Sequence, residues 1–146
     1  MSFRVIRRAE VSWQGTVSEG AGRIQVGSGA FEGPYSLKGR VEEGIAATNP
    51  EELLGAAEAA CFTMSLANLL GEAGHPAESL RTTARVKLEQ VGSAFNVTSI
   101  ELATEGEVPG LDQAEFADFA TQAKDCTISR AVTGTEITLE ARLAGG

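Results

Sequence analysis

Several residue types that chemistry usually relies on are scarce in this 146-residue chain. There is one histidine, His75, so a Ser-His-Asp triad has a single candidate base, and its place beside Pro76 at a helix end is a poor one. There are two cysteines, Cys61 and Cys126, far apart in the chain and without the close Cys/His spacing of a zinc site. The lack of a Cys-x-x-Cys motif argues against a general thiol–disulfide oxidoreductase. Aromatic content is 5%, too low for a base-stacking platform. Lys and Arg number 12 against 20 Asp and Glu, for a net charge of −8. That excludes the basic stripe a nucleic-acid partner needs and the polybasic patch that binds anionic membranes. No uninterrupted apolar run approaches the roughly 20 residues that span a bilayer. The start, MSFRVIRRAEV, is basic but lacks an apolar secretory core. The expected location is therefore cytoplasmic, where disulfides are mostly transient and catalytic.

What is present reads as one α+β domain over residues 1–146. Residues 3–13 mix β-branched and charged residues and predict a strand. A glycine-rich stretch follows, with short strands expected at Arg23–Val26 and Tyr35–Val41. Its Gly-x-Gly pairs open no helix after a strand, so they are hairpin turns rather than a dinucleotide fingerprint. Glu43–Ala47 reads as a loop. Thr48-Asn49-Pro50-Glu51-Glu52 is then a dense helix start, with Asn49 as cap, Pro50 in the first turn, and a Thr48–Glu51 or Asn49–Glu52 capping box. That helix should run to about Gly71 and, being apolar on nearly every side, should be buried.

Leu80–Leu88 alternates cleanly and predicts a half-buried strand. Phe95–Thr104 predicts another, with a bulge near Val97–Thr98. Val108-Pro109-Gly110 turns the chain into a helix over Asp112–Asp125, with Phe116, Phe119, Ala120 and Ala123 inward. A short helical turn at Ile128–Val132 and a last strand at Glu136–Leu143 complete the order. A helix buried all round needs more cover than one small sheet provides, and a second copy of the chain is the expected source.

The two thiols are the candidate chemistry. A thiol reacts as the thiolate, which apolar burial disfavours and a nearby cation favours. Cys61 lies well inside its helix, so the helix dipole does not help it, and an arginine from elsewhere is required. Arg40 is the first candidate and Arg23 the second, held in place by Glu51 or Glu52. Glu51 and Cys61 are separated by roughly 15 Å of helix, too far for one guanidinium to bridge. Two such helices packed antiparallel would bring Glu51 of one copy toward Cys61 of the other, which predicts a site shared between subunits. By default an isolated cysteine in an Ala-rich helix is a small core residue, and glutamates at a helix start complement its dipole. Lys124 and Asp125 suggest that Cys126 is the more exposed thiol.

TNPEELLGAAEAACFTMSL strongly resembles the signature of the OsmC/Ohr family of osmotically inducible and organic hydroperoxide resistance proteins. The LLGEAGH helix end, the VPG turn, the second cysteine after the following helix and the final EITLEARL strand resemble it too. LLGEAG and Tyr35–Arg40 look closer to the OsmC branch. The resemblance implies antiparallel sheets wrapped around long central helices in an intertwined homodimer. It implies that Cys61 is the peroxidatic cysteine, Cys126 the resolving cysteine, Arg40 the thiolate-stabilising arginine and Glu51 its carboxylate partner. The implied activity is thiol-dependent reduction of organic hydroperoxides, and less efficiently of hydrogen peroxide, through a sulfenic acid and a Cys61–Cys126 disulfide. A dithiol, such as a lipoyl-type protein, is the implied reductant, and no cofactor or metal is required. An apolar pocket from Leu53, Leu54, Phe62 and Met64 would favour alkyl peroxides. The competing reading from another class is a stress-related dimeric binding protein with unreactive thiols.

Overall fold

The computed structural model describes residues 2–145 and divides into two compact units, Met1–Glu52 and Leu53–Gly146. In the first, β1 (Ala9–Gln14), β2 (Ala21–Val26) and β3 (Glu32–Tyr35) form an antiparallel sheet in the order β1-β2-β3. The strand expected over 3–13 begins only at Ala9, opposite Val26 at the end of β2, with one further backbone hydrogen bond from the Gly27 N–H to the Arg8 carbonyl at 2.7 Å. Gly22 is the closest-packed point of this sheet. It pairs with Trp13 on one side and Tyr35 on the other, and the two rings meet edge to face above it with centroids 5.3 Å apart. A side chain at position 22 would have no room.

The strand expected at Tyr35–Val41 does not form. β3 stops at Tyr35, and Leu37–Val41 is a short helix, α1. Ser36 caps it, its hydroxyl accepting the Gly39 N–H at 3.0 Å. Alternation over so few residues does not distinguish a strand from one helical turn, and the cap decides. Gly39 is buried where a Cβ would lie 3.1 Å from that of Ala47, so the turn fits only because the residue is small. The loop that follows is tied back to β3 by the Thr48 N–H donating to the Pro34 carbonyl at 2.9 Å.

α2 runs from Pro50 to Glu72. Its start is capped much as expected: the Glu52 N–H donates to Asn49 Oδ1 at 2.7 Å. The reciprocal arm differs, since the Glu52 carboxylate accepts from the Thr48 hydroxyl at 2.7 Å. In the second unit, α2 presents one buried face, made by Gly55, Glu58, Phe62, Leu66 and Leu70. The opposite face, with Leu53, Ala56, Ala57, Ala60, Met64 and Ala67, is exposed, so the helix is not buried all round within this chain. One small sheet covers only one side of a helix, and Met64 remains 75% exposed. By length and mean hydropathy α2 is long and apolar enough to cross a membrane, although glutamates interrupt its apolar run. One face of it is seated on the protein's own sheet, where Gly55 meets Val86 and Ala84.

That sheet has the order β4-β5-β6, from Ser79–Val91, Ala94–Glu107 and Glu136–Leu143. The alternation in β4 turns Leu80, Thr82, Ala84, Val86 and Leu88 inward. The β4–β5 register shifts between Lys87 and Leu88, leaving Thr98 as the extra residue of a bulge where one was expected. β6 pairs with β5 in parallel, so the sheet is not wholly antiparallel. The cause is the crossover between them, long enough to hold α3 (Gln113–Ala123) and α4 (Thr127–Ala131) and return the chain to the same end. α3 starts on a full capping box between Asp112 and Glu115 and buries Phe116, Ala120 and Ala123. Phe119 packs at the margin of the same core.

Gly106 on β5 is where α3 comes nearest the sheet. A Cβ there would lie 2.9 Å from the buried Phe116 ring and 2.8 Å from Leu80 Cδ2. Gly106→Ala is expected to destabilise the protein by about 1–3 kcal/mol through overpacking. Chemical denaturation of the variant beside the wild type checks this, and equal midpoints would refute it.

Candidate functional site

Two groups of candidate side chains are assembled, one in each unit. In the first, the Arg40 guanidinium donates through Nε to Glu51 Oε1 in a direct ion pair. Arg40 comes from α1, not from a strand, and Glu51 from the first turn of α2. Asn49 joins the two helices: its side chain caps α2 and donates to the Gly39 carbonyl of α1 at 3.3 Å. The pair is more sheltered than most on this chain, with Glu51 11% exposed. Arg23 is engaged differently, with Glu32 across the β2–β3 ladder on an exposed face.

In the second unit, Cys61 and Cys126 line one pocket of about 410 Å³ together with Met64, Ser65, Thr127 and Arg130. Both thiols are free. Cys61 is half-buried on the flank of α2, three residues after Glu58 and therefore beside it on the helix surface. Cys126 caps α4 and is 4% exposed, not the open site that Lys124 and Asp125 suggested. The chain turns between α3 and α4 so that Cys126 joins the core while its charged neighbours stay outside. Of the four residues expected to form an apolar pocket, Met64 lines it. Phe62 is buried in the core, Leu54 packs against that core, and Leu53 is exposed.

The sequence reading missed three neighbours of these thiols. Arg130 on α4 lines the pocket and pairs with Asp125 at 3.6 Å. Ser129 Oγ lies 3.2 Å from Cys126 Sγ and donates to Glu58 Oε1. Glu58 is 0% exposed. Its Oε1 also stands 3.9 Å from Cys126 Sγ, and its Oε2 has no hydrogen-bond partner among the described residues. The available signal was a lone charge in an Ala-rich helix, on the face that carries Phe62 and Leu66.

Burial pushes the Cys126 thiol above its ordinary value. Hydrogen bonding with the Ser129 side chain and backbone opposes the rise, while a hydrogen bond with Cys61 and the charge of Glu58 add to it. Cys126 is thus held as the neutral thiol. Among the described residues no group of three or more His, Cys, Asp or Glu side chains is placed to hold a metal.

Residues 42–141 match the family described as OsmC-like protein. The chain is 42% identical over 139 residues to peroxiredoxin OsmC of Escherichia coli (strain K12), covering 94% of this chain and 96% of that one. The peroxiredoxin OsmC of Shigella flexneri gives the same figures. Among solved structures, an organic hydroperoxide resistance protein from Elizabethkingia anophelis superposes with a TM-score of 0.76 at 24% identity, over 97% of this chain and 99% of its own. The organic hydroperoxide resistance protein OhrB of Bacillus subtilis gives 0.71 at 24% identity, over 92% and 97%. At such identities these two speak for the fold alone. The chain belongs to the OsmC-like protein family. Its enzyme class follows from the 42% identity across nearly its whole length: it is a cysteine-based peroxidase.

The raised Cys126 thiol yields a titration with a definite sign. With Cys61 replaced by Ser, one of the smaller causes of the rise is lost and burial, the largest, remains. Thiolate absorbance near 240 nm should then appear only above the ordinary thiol value of 9.0. Because the folded state favours the protonated form, stability should be constant below that value and fall as pH rises through the Cys126 ionisation. A thiolate midpoint below 9.0 would contradict the assignment.

Proposed function

We propose that this chain reduces organic hydroperoxides with Cys61 as the nucleophile and Cys126 as the resolving thiol. The observation that carries this reading is that the chain's two cysteines, remote in sequence, line one pocket. The Cys61 thiolate attacks the distal peroxide oxygen, the O–O bond breaks, and the alkoxide leaves as the alcohol after taking a proton. Cys61 is left as a sulfenic acid, which condenses with Cys126 to a disulfide and water. An external dithiol, of which a lipoyl-type protein is one kind, then reduces the disulfide by exchange. Arg40, its guanidinium fixed by Glu51, is the cation assigned to stabilise the thiolate and the charge that develops on oxygen. Exposed Met64 at the pocket wall supports an alkyl peroxide over hydrogen peroxide. The names of the resistance-protein structures point the same way. A cytoplasmic setting suits the reading, since it keeps both thiols reduced.

The reading includes a homodimer within which the 1–146 chain acts as one OsmC-like domain. What supports it is the bare face of α2, where Leu53, Ala56, Ala57, Ala60, Met64 and Ala67 form an exposed apolar stripe. A second copy of the same helix would cover it, its small residues permitting close approach, and would make each site a joint product of two chains. Light scattering at micromolar concentration should return twice the 15.2 kDa of the chain. Met64→Glu should shift that toward the single-chain mass, and a monomeric wild type would refute the dimer.

The deciding assay is cumene hydroperoxide consumption with dithiothreitol by the wild type, Cys61→Ser and Cys126→Ser. Turnover should vanish in Cys61→Ser, and a sulfenic acid should be trappable in Cys126→Ser after one equivalent of peroxide. No turnover by the wild type, or turnover untouched by Cys61→Ser, would favour a binding role with idle thiols.

A further inference from the structure

Glu58 has no part in the steps above, yet it occupies a costly place. It is fully buried, one carboxylate oxygen lacks a hydrogen-bond partner among the described residues, and the other faces Cys126 and Ser129. An unsatisfied buried carboxylate oxygen is rare in a folded protein and calls for a reason. The geometry offers one. Cys126 Sγ, Ser129 Oγ and Glu58 Oε1 form a continuous chain, with 3.2 Å between sulfur and hydroxyl and a hydrogen bond from hydroxyl to carboxylate.

We propose that Glu58 is the proton acceptor for Cys126 in the disulfide-forming step, acting through the Ser129 hydroxyl. The proposal rests on Cys126 being the resolving thiol. Cys126 Sγ attacks the sulfenic sulfur of Cys61, so that the S–S bond forms as the S–O bond breaks. The Cys126 proton passes to Ser129 Oγ while the hydroxyl's own proton passes to Glu58. The departing hydroxide takes a proton from the Ser129 hydroxyl, which is reprotonated by Glu58, and leaves as water, returning Glu58 to the carboxylate. The Cys126 sulfur is oxidised, the sulfenic sulfur is reduced, and no further reagent is needed. Such a base is required because burial keeps Cys126 protonated, and a neutral thiol is a weak nucleophile. The same arrangement keeps Cys126 quiet until its partner has been oxidised.

The test is single-turnover kinetics on reduced full-length wild type, Glu58→Gln and Ser129→Ala, mixed with one equivalent of cumene hydroperoxide. Peroxide loss, a dimedone-trapped Cys61 sulfenic acid and the Cys61–Cys126 disulfide are each followed by mass spectrometry. The quantity read is the ratio of the disulfide-forming rate to the peroxide-consuming rate. It should fall about 100-fold in Glu58→Gln, with the sulfenic acid accumulating. Ser129→Ala, which leaves α2 untouched, should do the same. A ratio equal to the wild type's in either variant overturns the relay, as does an equal slowing of both steps, which a merely structural role would produce. A wild type that consumes peroxide without forming the disulfide overturns the resolving role itself. That failure is read from the wild type alone and is distinct from a failure of Glu58.

Discussion

The seating of one face of α2 on the β4–β5–β6 sheet is the constraint on which the second unit depends. Gly55 allows it, since even a Cβ there would lie 3.1 Å from Val86. Phe62, Leu66 and Leu70 continue the same face into a core shared with Ile100, Leu102 and Phe116. Once that face is fixed, the 3.6-residue period decides the rest. Glu58 must point inward, Cys61 must fall on the flank where a pocket can open, and Leu53, Ala60 and Met64 must point away. A hydroxyl chain anchors the contact, running from Thr63 on α2 to Thr82 and on to Thr104 in the sheet. Cys126 reaches the same flank because α3 buries Phe116 and Ala120 and stops at Ala123, letting the chain turn inward before α4.

Much of this fold was legible where a single physical rule dominates a segment. The alternation of β4 reports a sheet with one dry face, and the phase break in β5 reports the bulge at Thr98. The start of α2 was readable because Asn49, Pro50 and the glutamates all favour the same end. Reading failed where the deciding interaction is not periodic. Tyr35–Val41 alternates well enough for a strand, but one hydroxyl, that of Ser36, caps a helical turn there. The direction of β6 was illegible too, since its inward residues would be the same in either orientation.

The candidate site shows the same division. The two cysteines stand out because they are rare and Cys61 lies in a long family signature, and Arg40 is a candidate from its place just before the helix. Their surroundings were harder to see. Charged neighbours suggested an open Cys126, but flanking residues can face water while the one between them turns inward, as Lys124, Asp125 and Cys126 do. Glu58 went unnoticed in an Ala-rich run for the opposite reason: a charge in a helix is usually read as its solvated face. Its position four residues before Phe62 and eight before Leu66 places it on the buried face instead.

Burial separates the two thiols on the proposed reading. Cys61 stands on the flank of α2, where a peroxide can arrive, while Cys126 is enclosed and held protonated. The enclosed thiol is thus a poor competitor for the first oxidising equivalent, and the order of events is built into the packing. The same enclosure that protects Cys126 would also leave it inert when the sulfenic acid appears, unless a base is buried with it. A carboxylate admitted to the core beside Ser129 resolves that conflict, and an apolar side chain at position 58 would pack there without resolving it.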